Sequence, residues 1–179
     1  MNSFMRLTML GWLLTVPALA FSSDAVPPCM AKGQPIPINN AQALKWKTST
    51  ANQFTSRSHL MGRVARVYPN QSDHNHFSLQ VGPGPRDTIE VIYNIEFGQL
   101  PQIAIGMQVE ACGDFINSFA QAGPYPPSPD GAIIHWVHYN PNGKGHDSGF
   151  LVIDGMLYGY PHQYQFHNPY QSPYPYYGR

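Results

Sequence analysis

The chain has 179 residues, and 10 basic side chains balance 10 acidic ones, so the formal net charge is zero with neutral histidines. Only 11% of the residues are charged. The basic residues are scattered, which argues against strong binding to nucleic acid, because such binding needs a clustered basic surface. An enzyme that meets a polyanion only briefly is still compatible with this composition.

Residues 1–20 are typical of a signal peptide. Arg6 precedes an apolar stretch over 7–19, and Ala18 and Ala20 supply the small residues that favour cleavage after Ala20. A membrane anchor is the alternative, but the apolar run is shorter than the ~20 residues that a bilayer requires. We therefore expect an exported protein, periplasmic or secreted, with no membrane span after cleavage.

Residues 21–39 are rich in proline and small residues, which predicts a linker. Cleavage leaves two cysteines, Cys29 and Cys112. In an oxidising compartment they would form a disulfide that ties the linker to the domain. Two unpaired thiols, with Cys112 buried as a small apolar residue, are the alternative.

The domain itself is predicted over residues 40–158. Asn39 or Asn40 can cap a helix over 40–56, because Ala43, Trp46 and Phe54 lie on one helical face. Alternating apolar residues then predict strands. These cover 59–68, 76–81, 88–93, 106–115 and 131–139, and a hairpin follows over 150–158 around Asp154-Gly155.

This order of elements predicts a mainly β fold, namely a small OB-like five-stranded barrel with an N-terminal helix and a C-terminal hairpin. Three strands form a meander, a connection follows, and the next strand carries glycines that permit strong coiling. An open α+β sheet covered by the helix is the alternative. Residues 159–179 contain little besides tyrosine, proline, glutamine and histidine, which predicts a disordered tail.

The residues best suited to chemistry follow the last long strand. His135, His138 and His146 lie close together with Asn140 and Asp147, and imidazole is both a common metal ligand and the usual general acid or base. On a regular strand His135 and His138 would point to opposite faces. They share a site only if the strand bulges or ends early, which the Asn140-Pro141 turn favours.

Three interpretations of these histidines stay open: a structural hydrogen-bond network, a catalytic site with or without metal, and a non-catalytic metal or ligand site. The sequence has no HExxH, CxxC or nucleophile-elbow motif to decide among them. Asn94 and Glu96 are secondary candidates at the end of a strand. The sequence favours the alternative that Asn94 caps the following turn and Glu96 is solvated.

Several sequence blocks are similar to the signature of a small exported bacterial family, known as domain of unknown function 3465. They are His74-Asn75-His76-Phe77, Tyr93-Asn94-Ile95-Glu96, and Ile134 to Pro141 together with His146 and Gly149. The resemblance covers roughly residues 40–158. The chain departs from the family at Tyr93, where the family has histidine, and at Asn140, where it often has aspartate. The resemblance implies no reaction, but it implies one shared site. That site would contain His74, Asn94, Glu96, His135, His138 and His146.

We therefore predict an exported β-barrel protein with a histidine-rich site at one end, acting as a nuclease-like hydrolase on phosphodiesters. His135 or His138 would be the base or a metal ligand, His146 its partner, and Asn94 and Glu96 supporting groups. A divalent metal such as zinc would be held by His74, His138 and His146. The alternative is a non-catalytic binding module for a metal, a glycan, or an envelope or host partner. A third possibility is a secreted host-interaction protein in which the tyrosine- and proline-rich tail carries the function.

Overall fold

The computed structural model describes residues 26–161. The predicted signal peptide and nearly all of the predicted tail lie outside the described residues. The helices of the described part are α1 (Asn40–Ser49) and a 3₁₀ helix (Ile95–Phe97). The strands are β1 (Met30–Ala31), β2 (Gln34–Pro35), β3 (Thr55–Val67), β4 (His74–Gln80), β5 (Thr88–Asn94), β6 (Gln108–Asn117), β7 (Ala132–His135), β8 (Phe150–Ile153) and β9 (Met156–Tyr158). Within residues 26–161, neither helix has the length and apolar character needed to cross a bilayer.

Five of the strands close into a barrel. They are hydrogen-bonded in the order β3, β4, β5, β7, β6, and β6 pairs back with β3. All neighbours are antiparallel except β5 and β7, which are parallel. The predicted OB-like five-stranded barrel is confirmed, and the open α+β sheet is wrong because β3 and β6 pair over nine residues each. The predicted C-terminal hairpin, β8 and β9, extends the sheet from β6.

The alternation of side chains along β4 and β5 decides which residues face the barrel core. Phe77 and Leu79 on β4, and Val91 and Tyr93 on β5, are fully buried in the main core. Each buried side chain of this kind contributes about 1.5–3 kcal/mol to folding. The intervening residues therefore face outward, and they place the histidines of β4 on the outer surface of the barrel.

The helix is shorter than the predicted 40–56, because the backbone becomes extended at Thr50. Asn117 of β6 donates from its side-chain amide to carbonyls of the last helical turn and to the carbonyl of Thr50. Carbonyls of a last helical turn lack their full set of helical partners, so the amide stabilises this end, although the Trp46 carbonyl also accepts from the Thr50 N–H at 3.0 Å. Phe54 lies beyond the helix yet packs against Trp46, with ring centroids 5.8 Å apart.

The predicted linker over 21–39 is structured where it is described. β1 and β2 form a short antiparallel hairpin, and a disulfide joins Cys29 to Cys112 of β6. The predicted disulfide is confirmed, and the alternative of two free thiols is wrong. Both cysteines belong to a second apolar cluster with Phe150, on which the hairpin residue Ile36 packs. The hairpin is thus fixed to the outside of the barrel.

Candidate functional site

The last barrel strand ends four residues before the predicted position. β7 stops at His135, and the next residue, Trp136, has a φ of 55°, in the left-handed region that bulky residues rarely adopt. The chain turns at this point. As a result, the rings of His135 and His138 both approach the indole of Trp136, with centroids at 4.5 Å and 6.0 Å. The regular-strand geometry that would separate the two histidines does not apply.

Trp136 is the centre of a stack of three rings. His135 stacks on one side at 4.5 Å and 25°, and His146 stacks on it at 4.6 Å and 20°. His138 meets His146 edge-on at 5.4 Å and lies flat against Phe97 of the 3₁₀ helix at 3.4 Å. The early strand end and the loop after it therefore bring these predicted site residues together.

Two further histidines complete the group. His74 and His76 both lie on the outer face of β4, with ring centroids 6.4 Å apart, and His74 is 5.8 Å from His135. We call the five residues the histidine cluster. His74, His76 and His135 are its strand histidines, and His138 and His146 are its loop histidines.

Four rings of the cluster are oriented by an acceptor at Nδ1. The partners are the carbonyls of Ser72 for His74 (2.6 Å), Tyr139 for His138 (2.9 Å) and Asp147 for His146 (2.9 Å), and the carboxylate of Glu90 for His76 (2.8 Å). An acceptor at Nδ1 requires the proton to be on that nitrogen. In each neutral ring the lone pair is therefore on Nε2.

The surroundings keep two of the imidazoles neutral. Burial lowers the pKa of His135 to about 4, and the neighbouring imidazoles, first that of His74, lower it as well. Burial also lowers the pKa of His138, although its hydrogen bond to the carbonyl of Tyr139 acts in the opposite direction. At neutral pH both rings carry a lone pair and no charge, which suits them to bind an electrophile such as a metal ion.

Sequence reasoning missed Glu90. Its side chain is buried, with 5% of the residue exposed. One carboxylate oxygen accepts from Nδ1 of His76 at 2.8 Å and the other from the hydroxyl of Ser128 at 2.6 Å. The available signal was a carboxylate on the outward position of an otherwise apolar strand, between Ile89 and Val91. A buried carboxylate needs partners of this kind.

The secondary candidates Asn94 and Glu96 interact with each other. The Asn94 side chain accepts from the backbone N–H of Glu96 at 2.9 Å and caps the 3₁₀ helix. Its amide lies 3.2 Å from the Glu96 carboxylate, which is exposed. The alternative that Asn94 caps the turn is therefore confirmed. Asn94 is nevertheless the cross-strand neighbour of His74 and lies beside the cluster.

The loop that carries His146 is held at both ends. The side-chain amide of Asn140 donates to the carbonyls of Lys144 and His146 at 2.9 Å and 2.6 Å. The carboxylate of Asp147 accepts from the backbone N–H of Lys32 in the β1–β2 turn at 2.8 Å. The disulfide-bound hairpin and the site loop are therefore in direct contact.

An open groove of about 610 Å³ lies between that hairpin and the loop, and His146 forms part of its wall. Arg57 and Asp114 form an ion pair at 2.9 Å on its lining. Asp114 is also the cross-strand partner of His135. The other lining residues are Ala31, Lys32, Thr55, Ser56, Gly143, Gly145 and Asp147.

No protein-family model matches this chain, and no curated protein matches it. The resemblance to domain of unknown function 3465 therefore stays a prediction. Among residues 26–161, no three histidine, cysteine, aspartate or glutamate side chains are already arranged as the ligands of one metal ion. A metal bound by the cluster would require its rings to move closer together.

Proposed function

We propose that the protein is exported and that its histidine cluster binds a divalent transition metal such as zinc. The observation that carries this proposal is the orientation of four imidazoles, each with Nδ1 bonded to an acceptor and the lone pair on Nε2. Histidines that ligate metals typically donate their other ring N–H to a carbonyl or a carboxylate. The disulfide supports export, because such bonds persist in oxidising compartments.

The charges around the cluster favour a metal cation over a polyanion as the primary ligand. The guanidinium of Arg57 is nearby, but it is bonded to Asp114 and to the carbonyls of Met30 and Ser148. Histidines held neutral by burial offer lone pairs and no positive charge. Imidazole nitrogen suits zinc, copper and nickel ions.

Hydrolysis of phosphodiesters is the reaction we propose to test first. Three histidines of the cluster would hold the ion, and a bound zinc would supply Lewis-acid activation of water near neutral pH. The groove beside His146 and the indole of Trp136, which is 38% exposed, provide a surface for a substrate. A non-catalytic module that binds a metal, a glycan or an envelope partner is the second candidate. Among the residues that line the groove, Arg57 is paired with Asp114 and Lys32 is the other cationic side chain, so the groove offers little positive charge to a phosphodiester.

Isothermal titration of the chelator-treated mature protein with Zn²⁺ tests the proposal. We expect saturable binding by the wild type and weaker binding when several cluster histidines are replaced. His59→Gln is the matched control, because His59 lies outside the cluster and pairs with Glu110. Absence of zinc, copper and nickel binding by the wild type would contradict the metal function. Zinc binding without turnover of a chromogenic phosphodiester would contradict the hydrolase and favour the binding module.

A further inference from the structure

We infer that the metal is held by the strand histidines His74, His76 and His135, and that Glu90 positions His76. This inference rests on the metal function proposed above, and it names a different ligand set from the one that the sequence predicts. It is carried by the spacing of the rings, the rigidity of the strands and the buried carboxylate.

Two of the three separations among the strand histidines, those that involve His74, are close to what one ion requires. Zinc binds imidazole nitrogen at about 2.0–2.1 Å, so ring centroids around a tetrahedral ion lie about 5.3 Å apart. The observed separations are 6.4 Å between His74 and His76 and 5.8 Å between His74 and His135. Side-chain rotations that move these rings by about 1 Å would close the two differences.

The backbone under these residues is already fixed. His74 and His76 lie two residues apart on β4, so their side chains leave the same face of the sheet. Seven residue pairs join β4 to β5, and β7 pairs with both β5 and β6. A ligand set on paired strands needs little further ordering when the metal binds, and a set on loops needs more.

The loop histidines are less available to the same ion. The rings of His138 and His146 are 5.4 Å apart, but His146 stacks on the indole of Trp136 at 4.6 Å. His138 is 5% exposed and lies flat on Phe97 at 3.4 Å. A set made of His74, His138 and His146 would disturb the stacks of both loop histidines, whereas the strand set disturbs one stack, that of His135 on Trp136.

Glu90 supports the strand site through its hydrogen bond to His76. Its carboxylate fixes the tautomer and orientation of His76 and increases the basicity of Nε2. The second oxygen is held by Ser128, so the carboxylate stays in place. Removal of such an outer partner typically lowers metal affinity about 10–100-fold.

The test compares zinc affinity and the visible spectrum of bound Co²⁺ among single variants of the mature protein. We expect His76→Ala and His135→Ala to abolish tetrahedral Co²⁺ absorption, whereas His138→Ala and His146→Ala retain it. Glu90→Gln should weaken zinc binding about 10–100-fold. Ser128→Ala, which removes the other hydrogen bond of the same carboxylate, should weaken it less. Circular dichroism and urea midpoints of the metal-free proteins establish that each variant is folded.

The possible failures are distinguishable. Loss of the Co²⁺ signal in a loop variant, with the signal kept in the strand variants, would overturn this assignment and leave the metal function standing. Equal loss in Glu90→Gln and Ser128→Ala would overturn the positioning role of Glu90. A wild-type protein that binds no metal would refute the proposed function, and the assignment with it.

Discussion

Acidification of the metal-free protein should lower its stability because of His135. Burial, followed by the imidazoles of His74, His138, His146 and His76, lowers the pKa of this residue from 6.5 to about 4. The free-energy equivalent is about 1.4 kcal/mol for each pH unit, so this difference corresponds to about 3 kcal/mol. His138, whose pKa is lowered by burial as well, should add to the effect.

The direction of this pH dependence follows from proton binding by His135 in the folded and unfolded states. As the pH falls below 6.5, the unfolded chain takes up a proton on His135, whereas the folded chain does not until about pH 4. Stability contributed by the neutral ring is therefore complete above pH 7, decreases between 6.5 and about 4, and is not reduced further by this residue at lower pH.

Urea unfolding followed by circular dichroism, at several pH values between 7.5 and 4 in the presence of a chelator, measures this loss. His135→Asn removes the titrating group, so its free energy of unfolding should depend less steeply on pH than that of the wild type. His59→Asn, which removes a histidine outside the cluster, is the control for the loss of an imidazole elsewhere in the fold. Parallel curves for the wild type and His135→Asn over this range would refute the reasoning.

Two further predictions concern the parts of the fold that support the site. Reduction of the disulfide between Cys29 and Cys112, which are 83 positions apart, should cost about 4.5 kcal/mol by the chain-entropy relation; an unchanged urea midpoint with reductant would contradict this. Gly149→Ala should destabilise by about 3 kcal/mol, since a Cβ there would overlap the backbone carbonyl oxygens of Trp136 and Cys112. Gly143→Ala meets no atom within 4 Å and should cost only the about 1–2 kcal/mol of its left-handed backbone. Equal losses in the two alanine variants, measured by thermal unfolding, would show that the close approach at Gly149 is unimportant.

Much of the barrel could be predicted because its strands follow local rules. The meander shows apolar residues at every second position, and the Asp154-Gly155 turn joins β8 to β9 as its dipeptide predicts. The predicted end of the helix was wrong because a distant residue determines where the helix stops. This residue is Asn117, which lies 67 residues from Thr50 in the chain. A contact of that sequence separation leaves no local pattern.

The site was harder to predict than the fold for the same reason. His138 and His146 were found because they are close in sequence, and His74 because of the resemblance. The importance of His76 depends on Glu90, which lies on another strand, and on Ser128 in the proline-rich loop. His76 and Glu90 come together only because β4 pairs with β5. The strand register, which the composition does not reveal, therefore creates this pair.

Trp136 has a left-handed backbone, and the ring contacts of the cluster offset the free-energy cost of that conformation. A left-handed backbone costs a bulky residue about 1–2 kcal/mol, and glycine would avoid this cost. The barrel does not require tryptophan there, because β7 has already paired with β5 and β6 before this residue. Two aromatic stacks, on His135 and His146, are worth about 0.5–1.5 kcal/mol each. Their sum is close to the backbone cost, so the strained conformation persists because the histidines are in place around the indole. Strain of this kind concentrates at binding and catalytic sites, which is a further reason to look for function at this cluster.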